Sequence, residues 1–360
     1  MSSAAAKIVC VAPSWLGDAV LALPALEWLA AAGARLEILA RAGTARVFAD
    51  VVPPEQLHTT SNTHRSRRIL DAWRLRRLRP DAALLFAPSL SAALLGCASG
   101  APRRIGAAGD ARRPLLTHAL PPAGRDVHLA LTFQRLARTA LDSLRLPQPA
   151  SPAAVGGSLH ALPRLRVRSD ERARAASLLE SHGVSAAAQP LVVAPGAQFG
   201  PAKRYPPERF ARAAERLLAT GCTSPVLLVG GRGDAPHTAA VRAALPAAID
   251  LAGSTDLGTL LAILERAAGV LANDSGIMHL AAALGVPVVG VFGSTNPGWT
   301  GPLGPLAGWV SHPVPCSPCY ARTCPIDFEC MLGLEPEAIV DKLLALMQQD
   351  RPAGLRSLRI

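Results

Sequence analysis

PLVVAPGAQFGPAKRYP, residues 190–206, predicts the building unit of this chain. The apolar residues Pro190–Ala194 predict a short buried strand, and Pro206 and Pro207 predict the first turn of a helix. Between them lies a loop with two glycines and two cations. A strand, a loop and a helix in this order form the repeating unit of a parallel α/β sheet.

The same alternation of apolar runs and helical patterns continues in both directions from this unit. The predicted strands are Lys7–Pro13, Leu36–Ala40, Asp81–Pro88, Val226–Gly230, Ile249–Leu251, Gly269–Ala272 and Val286–Phe292. Further helices are predicted at residues 17–33 and 335–347. Strands that alternate with helices favour doubly wound sheets, which bind ligands at the carboxyl ends of their strands. We therefore predict an α/β fold of two Rossmann-like domains facing a central cleft.

Two domains are expected because 360 residues exceed what a single hydrophobic core usually supports. Between Leu146 and Leu162 the sequence becomes rich in Pro, Ser and Gly, which is typical of a linker. We predict an N-terminal domain at residues 1–165 and a C-terminal domain at residues 166–350. Whether the final helix packs back onto the N-terminal domain is left open.

The charge of the chain predicts an anionic partner, because its formal net charge is +11 and its pI is about 10.2. Nucleic acid, a phosphorylated substrate and a membrane surface all meet that requirement. Two arginine clusters, Arg65–Arg68 and Arg74–Arg79, lie on a predicted amphipathic helix that also carries Trp73. That helix is either a solvated face or a patch for anionic lipid.

The location of the protein is predicted from its apolar runs and cysteines. No apolar run reaches the 18 or so residues of a membrane span, and the apolar run near the N-terminus is too short for a secretory signal. Seven cysteines, an odd number, fit a reducing compartment better than a disulfide framework. We expect a cytoplasmic protein that touches a membrane only from the side.

Asp18 is the first candidate for chemistry. It lies in SWLGDA, residues 14–19, at the start of a helix and at the carboxyl end of the opening strand. A carboxylate in that position is available to a ligand in the cleft. The position equally suits a carboxylate that only stabilises the exposed N–H groups of the helix.

The loop at residues 195–205 is the most distinctive stretch of the chain. Gly196 and Gly200 allow backbone N–H groups to approach an anion, and Lys203 adds a compact positive charge suited to a diphosphate. The loop is not a P-loop, because the Gly-Lys-Ser/Thr element is absent. The alternative is an ordinary turn with surface cations.

A second anion site is predicted after the strand at residues 269–272. Its polar and helix-start residues are Asn273, Asp274, Ser275, Gly276 and His279. The helix that starts there offers free N–H groups to an anion. Two weaker candidates also follow strands: VFGSTNP, residues 291–297, and GGRGD, residues 230–234, in which Asp234 is a candidate ribose ligand.

Four cysteines lie within fifteen residues at Cys316, Cys319, Cys324 and Cys330. They predict either a structural zinc site or a reduced, partly buried cluster, and only one CxxC pair is present. The chain contains no Asp-x-Asp, HExxH or GxSxG motif. A metal-bridged sugar-nucleotide site, a zinc hydrolase and an esterase therefore lose support, and we predict no metal ligands in the active site.

These motifs resemble those of the ADP-heptose:lipopolysaccharide heptosyltransferases, glycosyltransferase family 9. The resemblance rests on WLGD at 15–18, PGAQFGPAKRYP at 195–206, LAGST at 251–255, NDSGIMH at 273–279 and the closing cysteine-rich stretch. It runs in order from about residue 8 to residue 347. The PAKRYP run is most like heptosyltransferase II.

The resemblance implies a GT-B fold and inverting transfer of L-glycero-D-manno-heptose from ADP-heptose to a heptosyl-Kdo2-lipid A acceptor. It implies that Asp18 is the general base and that Lys203 contacts the diphosphate. The implied ligands of phosphates, ribose and heptose are Asp234, Asp274, Ser275, Gly276 and His279, and we add Gly196 from the diphosphate loop. No cofactor or metal is expected, and the site of action implied is the cytoplasmic face of the inner membrane.

Several alternatives are left open. Heptosyltransferase I or III, or another GT-B transferase of nucleotide sugars, would differ in the acceptor or the donor sugar. A non-catalytic nucleotide-binding protein and a nucleic-acid binder are the alternatives from other classes. Nucleic acid is not a predicted partner, because no binding motif is present and aromatic residues make up only 4% of the chain.

Overall fold

The computed structural model describes residues 5–60, 65–149 and 161–349. The chain divides into two compact units, Met1–Pro163 and Arg164–Ile360. Most of the predicted linker, residues 150–160, lies outside the described residues.

The first unit contains a parallel sheet of six strands. Its strands are β1 (Lys7–Val11), β2 (Arg35–Arg41), β3 (Leu57–Thr60), β4 (Ala82–Leu85), β5 (Arg103–Ala107) and β6 (His118–Leu120). Its helices are α1 (Leu16–Leu21), α2 (Leu23–Ala31), α3 (Ala45–Phe48), α4 (Arg65–Arg77), α5 (Leu90–Ala98) and α6 (Leu129–Leu144). The strand order is β3-β2-β1-β4-β5-β6. The order reverses between β1 and β4, so the carboxyl end of β1 is a topological switch point.

The second unit repeats this architecture. Its strands are β7 (Leu191–Ala194), β8 (Val226–Leu228), β9 (Ile249–Asp250), β10 (Gly269–Asn273), β11 (Val288–Phe292) and β12 (Ala307–Ser311). Its helices are α7 (Ser169–Ser181), α8 (Pro207–Ala219), α9 (Ala235–Ala244), α10 (Leu257–Arg266), α11 (Gly276–Ala283), α12 (Pro297–Thr300), α13 (Glu329–Leu332) and α14 (Pro336–Met347). All neighbouring strands are parallel, in the order β12-β11-β10-β7-β8-β9, with the switch point between β7 and β10. The predicted α/β fold with Rossmann-like domains is confirmed.

The helix after residue 206 packs as its sequence predicts. Phe210, Ala214 and Leu217 of α8 are buried in a core with strand residues such as Leu191. The helix ends before Gly221, whose φ of +71° is a conformation that glycine adopts without steric cost. The final helix, α14, packs on α8 and on β10, β11 and β12 of its own unit.

The helix predicted at residues 17–33 is two helices in the structure, α1 and α2. They meet at Ala22, because Pro24 has no N–H to donate to the carbonyl group of Val20. Strands β3, β5, β6 and β12 were not predicted. They lie at or near the sheet edges and are only partly buried, so their sequences lack the continuous apolar run of a central strand.

Across the part of the chain that the structure describes, no helix combines the length and the apolar character needed to cross a bilayer.

Candidate active site

Lys203 and Asp274 meet at the switch point of the second sheet. Lys203 ends a short 3-10 turn, Pro201–Lys203, in the loop after β7, and Asp274 directly follows β10. The Lys203 Nζ lies 2.5 Å from the Asp274 Oδ2, and the two side chains are only 13% and 5% exposed. Because β7 and β10 are parallel neighbours, their carboxyl ends bring together residues that are 71 positions apart.

Two further side chains fix the position of the Lys203 ammonium group. The Thr295 hydroxyl, in the loop after β11, donates a 2.6 Å hydrogen bond to the same Asp274 Oδ2. The Lys203 Nζ also lies 5.0 Å from the centroid of the Phe199 ring, within the range of a cation–π interaction. Loops from three adjacent strands therefore hold one cation in place.

Asn273, the last residue of β10, ties both ends of the Lys203 loop to the sheet. Its Nδ2 donates to the Pro195 carbonyl at 2.7 Å, and its Oδ1 accepts from the Tyr205 N–H at 2.9 Å. The amide is fully buried, so both hydrogen bonds are shielded from water. The Tyr205 hydroxyl donates to the Leu334 carbonyl at 2.7 Å, and burial raises its pKa to about 12. It therefore stays a donor at neutral pH.

Asp234 and Gly196 are in direct contact. A Cβ atom at Gly196 would overlap the Asp234 carboxylate, so only glycine leaves room for it. The Asp234 Oδ2 accepts a 2.9 Å hydrogen bond from the Gly231 N–H, which orients the carboxylate. The loops after β7 and β8 thus bring two predicted donor ligands together.

The start of α11 offers hydrogen-bonding groups beside Asp274. Ser275 is the N-cap residue, yet its hydroxyl caps nothing; it is buried and has no hydrogen-bond partner among the described residues. Gly276 is the first helical residue, where backbone N–H groups have no partner within the helix. His279 lies one turn further on and is buried. Unpaired N–H groups at a helix start favour an anion.

Asp18 occupies the corresponding position in the first unit. It lies in the first turn of α1, the helix that follows β1 at the switch point of that sheet, and it is half-buried. Trp15, the N-cap residue of this helix, makes no side-chain cap. The structure places the Asp18 carboxylate where a doubly wound sheet binds ligands.

The cysteine-rich segment, residues 316–330, lines an apolar pocket. Its walls include Ala202, Ser294, Cys316, Cys319, Cys324, Ile326, Phe328 and Cys330. All seven cysteines of the chain are free thiols. Burial and then the three neighbouring thiols raise the pKa of Cys330. Within residues 5–60, 65–149 and 161–349, no three His, Cys, Asp or Glu side chains are arranged to hold a metal ion.

This segment supports the loops that carry Lys203 and Thr295. The Tyr320 N–H donates to the Ser294 carbonyl at 2.7 Å, and the Ala202 N–H donates to the Arg322 carbonyl at 3.0 Å. The Ser317 hydroxyl donates to the Gly293 carbonyl at 2.5 Å. The sequence did not predict this role, nor the contacts of Phe199 and Thr295; its only signal for them was their position in loops that follow strands.

Comparison with known proteins is consistent with this geometry. The family model of glycosyltransferase family 9 (heptosyltransferase) matches residues 72–328. The chain is 30% identical over 318 residues to lipopolysaccharide heptosyltransferase 2 of Salmonella typhimurium, covering 82% of this chain and 85% of that protein.

Solved structures of heptosyltransferases are also similar to this chain. The structure of E. coli ADP-heptose lps heptosyltransferase II is similar with a TM-score of 0.76 and 26% identity, and the match covers 95% of this chain and 98% of that one. E. coli heptosyltransferase WaaC with ADP matches with a TM-score of 0.67 at 17% identity, covering 94% and 99%, which supports the GT-B fold alone.

Proposed function

Because this chain belongs to glycosyltransferase family 9, the heptosyltransferase family, we propose that it transfers L-glycero-D-manno-heptose from ADP-heptose to heptosyl-Kdo2-lipid A. The product would carry the second heptose of the lipopolysaccharide inner core. Relatives that match over most of their length are named heptosyltransferase 2, which supports this acceptor. The single structural observation that carries the proposal is the Lys203–Asp274 pair beside the start of α11.

The donor half of the reaction needs positive charge where ADP departs. Lys203 supplies a cation for the incoming diphosphate, and the start of α11 at Gly276 supplies N–H groups. Both are held in position before the substrate binds. The Ser275 hydroxyl, which has no hydrogen-bond partner among the described residues, supplies one more hydrogen-bonding group. Asp234, beside Gly196, is suited to the ribose hydroxyls, and His279 to the phosphate–heptose end.

The acceptor half needs a base at the attacking hydroxyl. In the proposed reaction the acceptor oxygen forms a bond to the anomeric carbon as the bond to the β-phosphate oxygen breaks. Asp18 takes the acceptor proton, and ADP leaves from the opposite face of the sugar, so the configuration inverts. We propose that Lys203 and the α11 N-terminus stabilise the leaving charge without a metal ion.

A membrane-facing surface is part of the proposal, because the acceptor is a lipid. On α4, Ile69, Leu70 and Trp73 are 70%, 63% and 56% exposed. The opposite face anchors the helix through buried Leu75 and through Asp71, which accepts a 2.5 Å hydrogen bond from Thr60.

Cations accompany these apolar residues. The exposed arginines at this end of the helix are Arg74, Arg76, Arg77 and Arg79, and the Arg77 guanidinium lies 3.9 Å from the centroid of the Trp73 ring. Apolar residues among cations are typical of a helix that lies on an anionic bilayer. We propose peripheral attachment to the cytoplasmic face of the inner membrane. The side chains of Arg65–Arg68 fall outside the described residues.

The deciding experiment measures ADP release from ADP-heptose, with and without heptosyl-Kdo2-lipid A, for the wild type and for Asp18→Asn. We expect acceptor-dependent release in the wild type, no response to EDTA, and a loss of at least about 100-fold in Asp18→Asn with ADP affinity retained. Asp142→Asn, an exposed carboxylate on α6 of the same unit, is the matched control and should behave as wild type.

Three outcomes would contradict parts of this proposal. Unchanged turnover in Asp18→Asn would remove Asp18 as the base. Turnover only with an acceptor that lacks the first heptose would assign the chain to heptosyltransferase I. Loss of turnover in EDTA, restored by a divalent cation, would overturn the metal-free mechanism.

A further inference from the structure

Arg322, on the cysteine-rich segment, and Lys203 both lie near the Phe199 ring. The Arg322 Cζ is 5.4 Å from the centroid of the Phe199 ring, and the Lys203 Nζ is 5.0 Å from the same centroid. The two cations are therefore no more than about 10 Å apart, which is comparable to the Debye length at 0.1 M salt. The Lys203 and Arg322 charges are therefore close enough to act on the same bound anion.

The backbone holds Arg322 in this place. Its carbonyl group accepts the Ala202 N–H at 3.0 Å, one residue before Lys203. A Cβ atom at Gly200 would overlap the Arg322 carbonyl oxygen, so the loop approaches the segment as closely as glycine permits. The position of Arg322 is thus tied to the same turn that positions Lys203.

The charges at this site do not balance. Lys203 is neutralised by Asp274, whereas Arg322 forms no ion pair with any residue that the structure describes. Its side chain is exposed, and the Phe199 ring lies within cation–π range of its guanidinium group. A nucleoside diphosphate carries more than one negative charge, so the paired Lys203 does not suffice to neutralise it.

We infer that Arg322 is a second cation for the diphosphate of the nucleotide donor. The inference rests on the proposed function and adds a ligand to the same site. A guanidinium group is suited to this task, because its fork of N–H donors binds two phosphate oxygens at once. The cysteine-rich segment then has a second role besides supporting the loops, because its Arg322 guanidinium group contacts the departing diphosphate.

The experiment compares ADP with adenosine, because only ADP carries the diphosphate. We would measure the Kd of both ligands by calorimetry for the full-length wild type, Arg322→Gln and Arg322→Lys. Arg212→Gln, which removes an exposed arginine from α8, is the matched control. In Arg322→Gln we expect ADP affinity to fall by about tenfold or more, the size of a lost charge-assisted contact, with adenosine affinity unchanged.

Two further readouts separate a phosphate contact from a structural role. Arg322→Lys keeps the charge and should recover part of the ADP affinity. The salt dependence of ADP binding should be weaker in Arg322→Gln than in the wild type, because one charge fewer is screened. The control should match the wild type for both ligands.

Three results would overturn the inference. If Arg322→Gln binds ADP as tightly as the wild type, Arg322 is not a diphosphate ligand, although the proposed function survives. If ADP and adenosine affinities fall in step, the arginine acts by supporting the fold. If the wild type binds adenosine and ADP equally, the site does not recognise a diphosphate, and the proposed function fails with the inference.

Discussion

The Lys203 ammonium group and the Asp274 carboxylate are joined by a 2.5 Å contact at the carboxyl ends of β7 and β10, and water has little access to either side chain. Removing one partner of such a pair leaves an uncompensated buried charge, which typically costs several kcal/mol. Substitution of Asp274 would therefore lower the stability of the fold as well as the activity, and the two effects could not be separated. The residue that reports on positioning alone is Thr295, which binds the same carboxylate oxygen.

Thr295→Val should lower kcat/KM for ADP-heptose by about tenfold, because it removes one hydrogen bond to a charged group and leaves the ion pair in place. We expect the loss mainly in kcat, since Lys203 acts on the charge that builds as ADP leaves. Thr295→Ser should restore most of it. The control is Thr300→Val, whose hydroxyl has no hydrogen-bond partner within the described residues. Equal kinetics for Thr295→Val and wild type would show that Asp274 needs no help from Thr295.

Gly196→Ala should weaken the binding of ADP and adenosine by similar factors, because its methyl group would displace the Asp234 carboxylate from the proposed ribose site. This equal loss distinguishes it from Arg322→Gln, which should affect ADP alone. Gly233→Ala is the matched control, since a Cβ there meets no atom within 4 Å. Calorimetry with both ligands tests the prediction. A loss of affinity confined to ADP would show that Asp234 does not bind the ribose.

Replacing Ile69 and Trp73 together with serine should reduce flotation of the protein with vesicles that contain phosphatidylglycerol. The two side chains are large, apolar and exposed, and burial in the bilayer interface gains free energy in proportion to the apolar area removed from water. ADP affinity should not change. Trp309→Ser, an exposed tryptophan on β12, is the control and should float as wild type does. Equal flotation of all three proteins would assign membrane contact to another surface.

Asp256 provides a pH-dependent test of stability. It caps α10, and its Oδ1 accepts the Thr259 N–H at 2.6 Å. This hydrogen bond is the main reason that the pKa of Asp256 lies below its ordinary value of 3.8. The stabilisation is therefore present above pH 3.8 and is lost as the pH falls through the lowered pKa.

Asp256→Ala should reduce the free energy of unfolding in urea by about 1 kcal/mol at pH 7. The difference from wild type should shrink as the pH falls below the ordinary pKa. Asp256→Asn keeps a capping oxygen but does not titrate, so it should retain most of the stability with little dependence on pH. A difference that stays constant down to the lowest pH would show that ionisation of Asp256 contributes nothing.

The sequence predicted the central strands well and missed three of the four edge strands, β3, β6 and β12. Strands such as β7 and β10 are continuous apolar runs because helices cover both faces, and such runs are visible without a structure. Strands β3, β6 and β12 lie at or next to sheet edges with exposed positions, so they lack that signature. Pro24 was a local signal for the break between α1 and α2, yet apolar periodicity on both sides of it favoured one helix.

The sequence by itself determined the α/β class, the family and the strand-to-helix connections at which Asp18, Lys203, Asp234 and Asp274 lie, because apolar periodicity and glycine- and proline-rich turns are local properties. Only the tertiary structure decided which of these side chains meet. The Lys203–Asp274–Thr295 cluster, the Asn273 hydrogen bonds and the place of Arg322 beside Phe199 join residues far apart in the chain. Such contacts depend on the order of strands in the sheet, which no local pattern encodes.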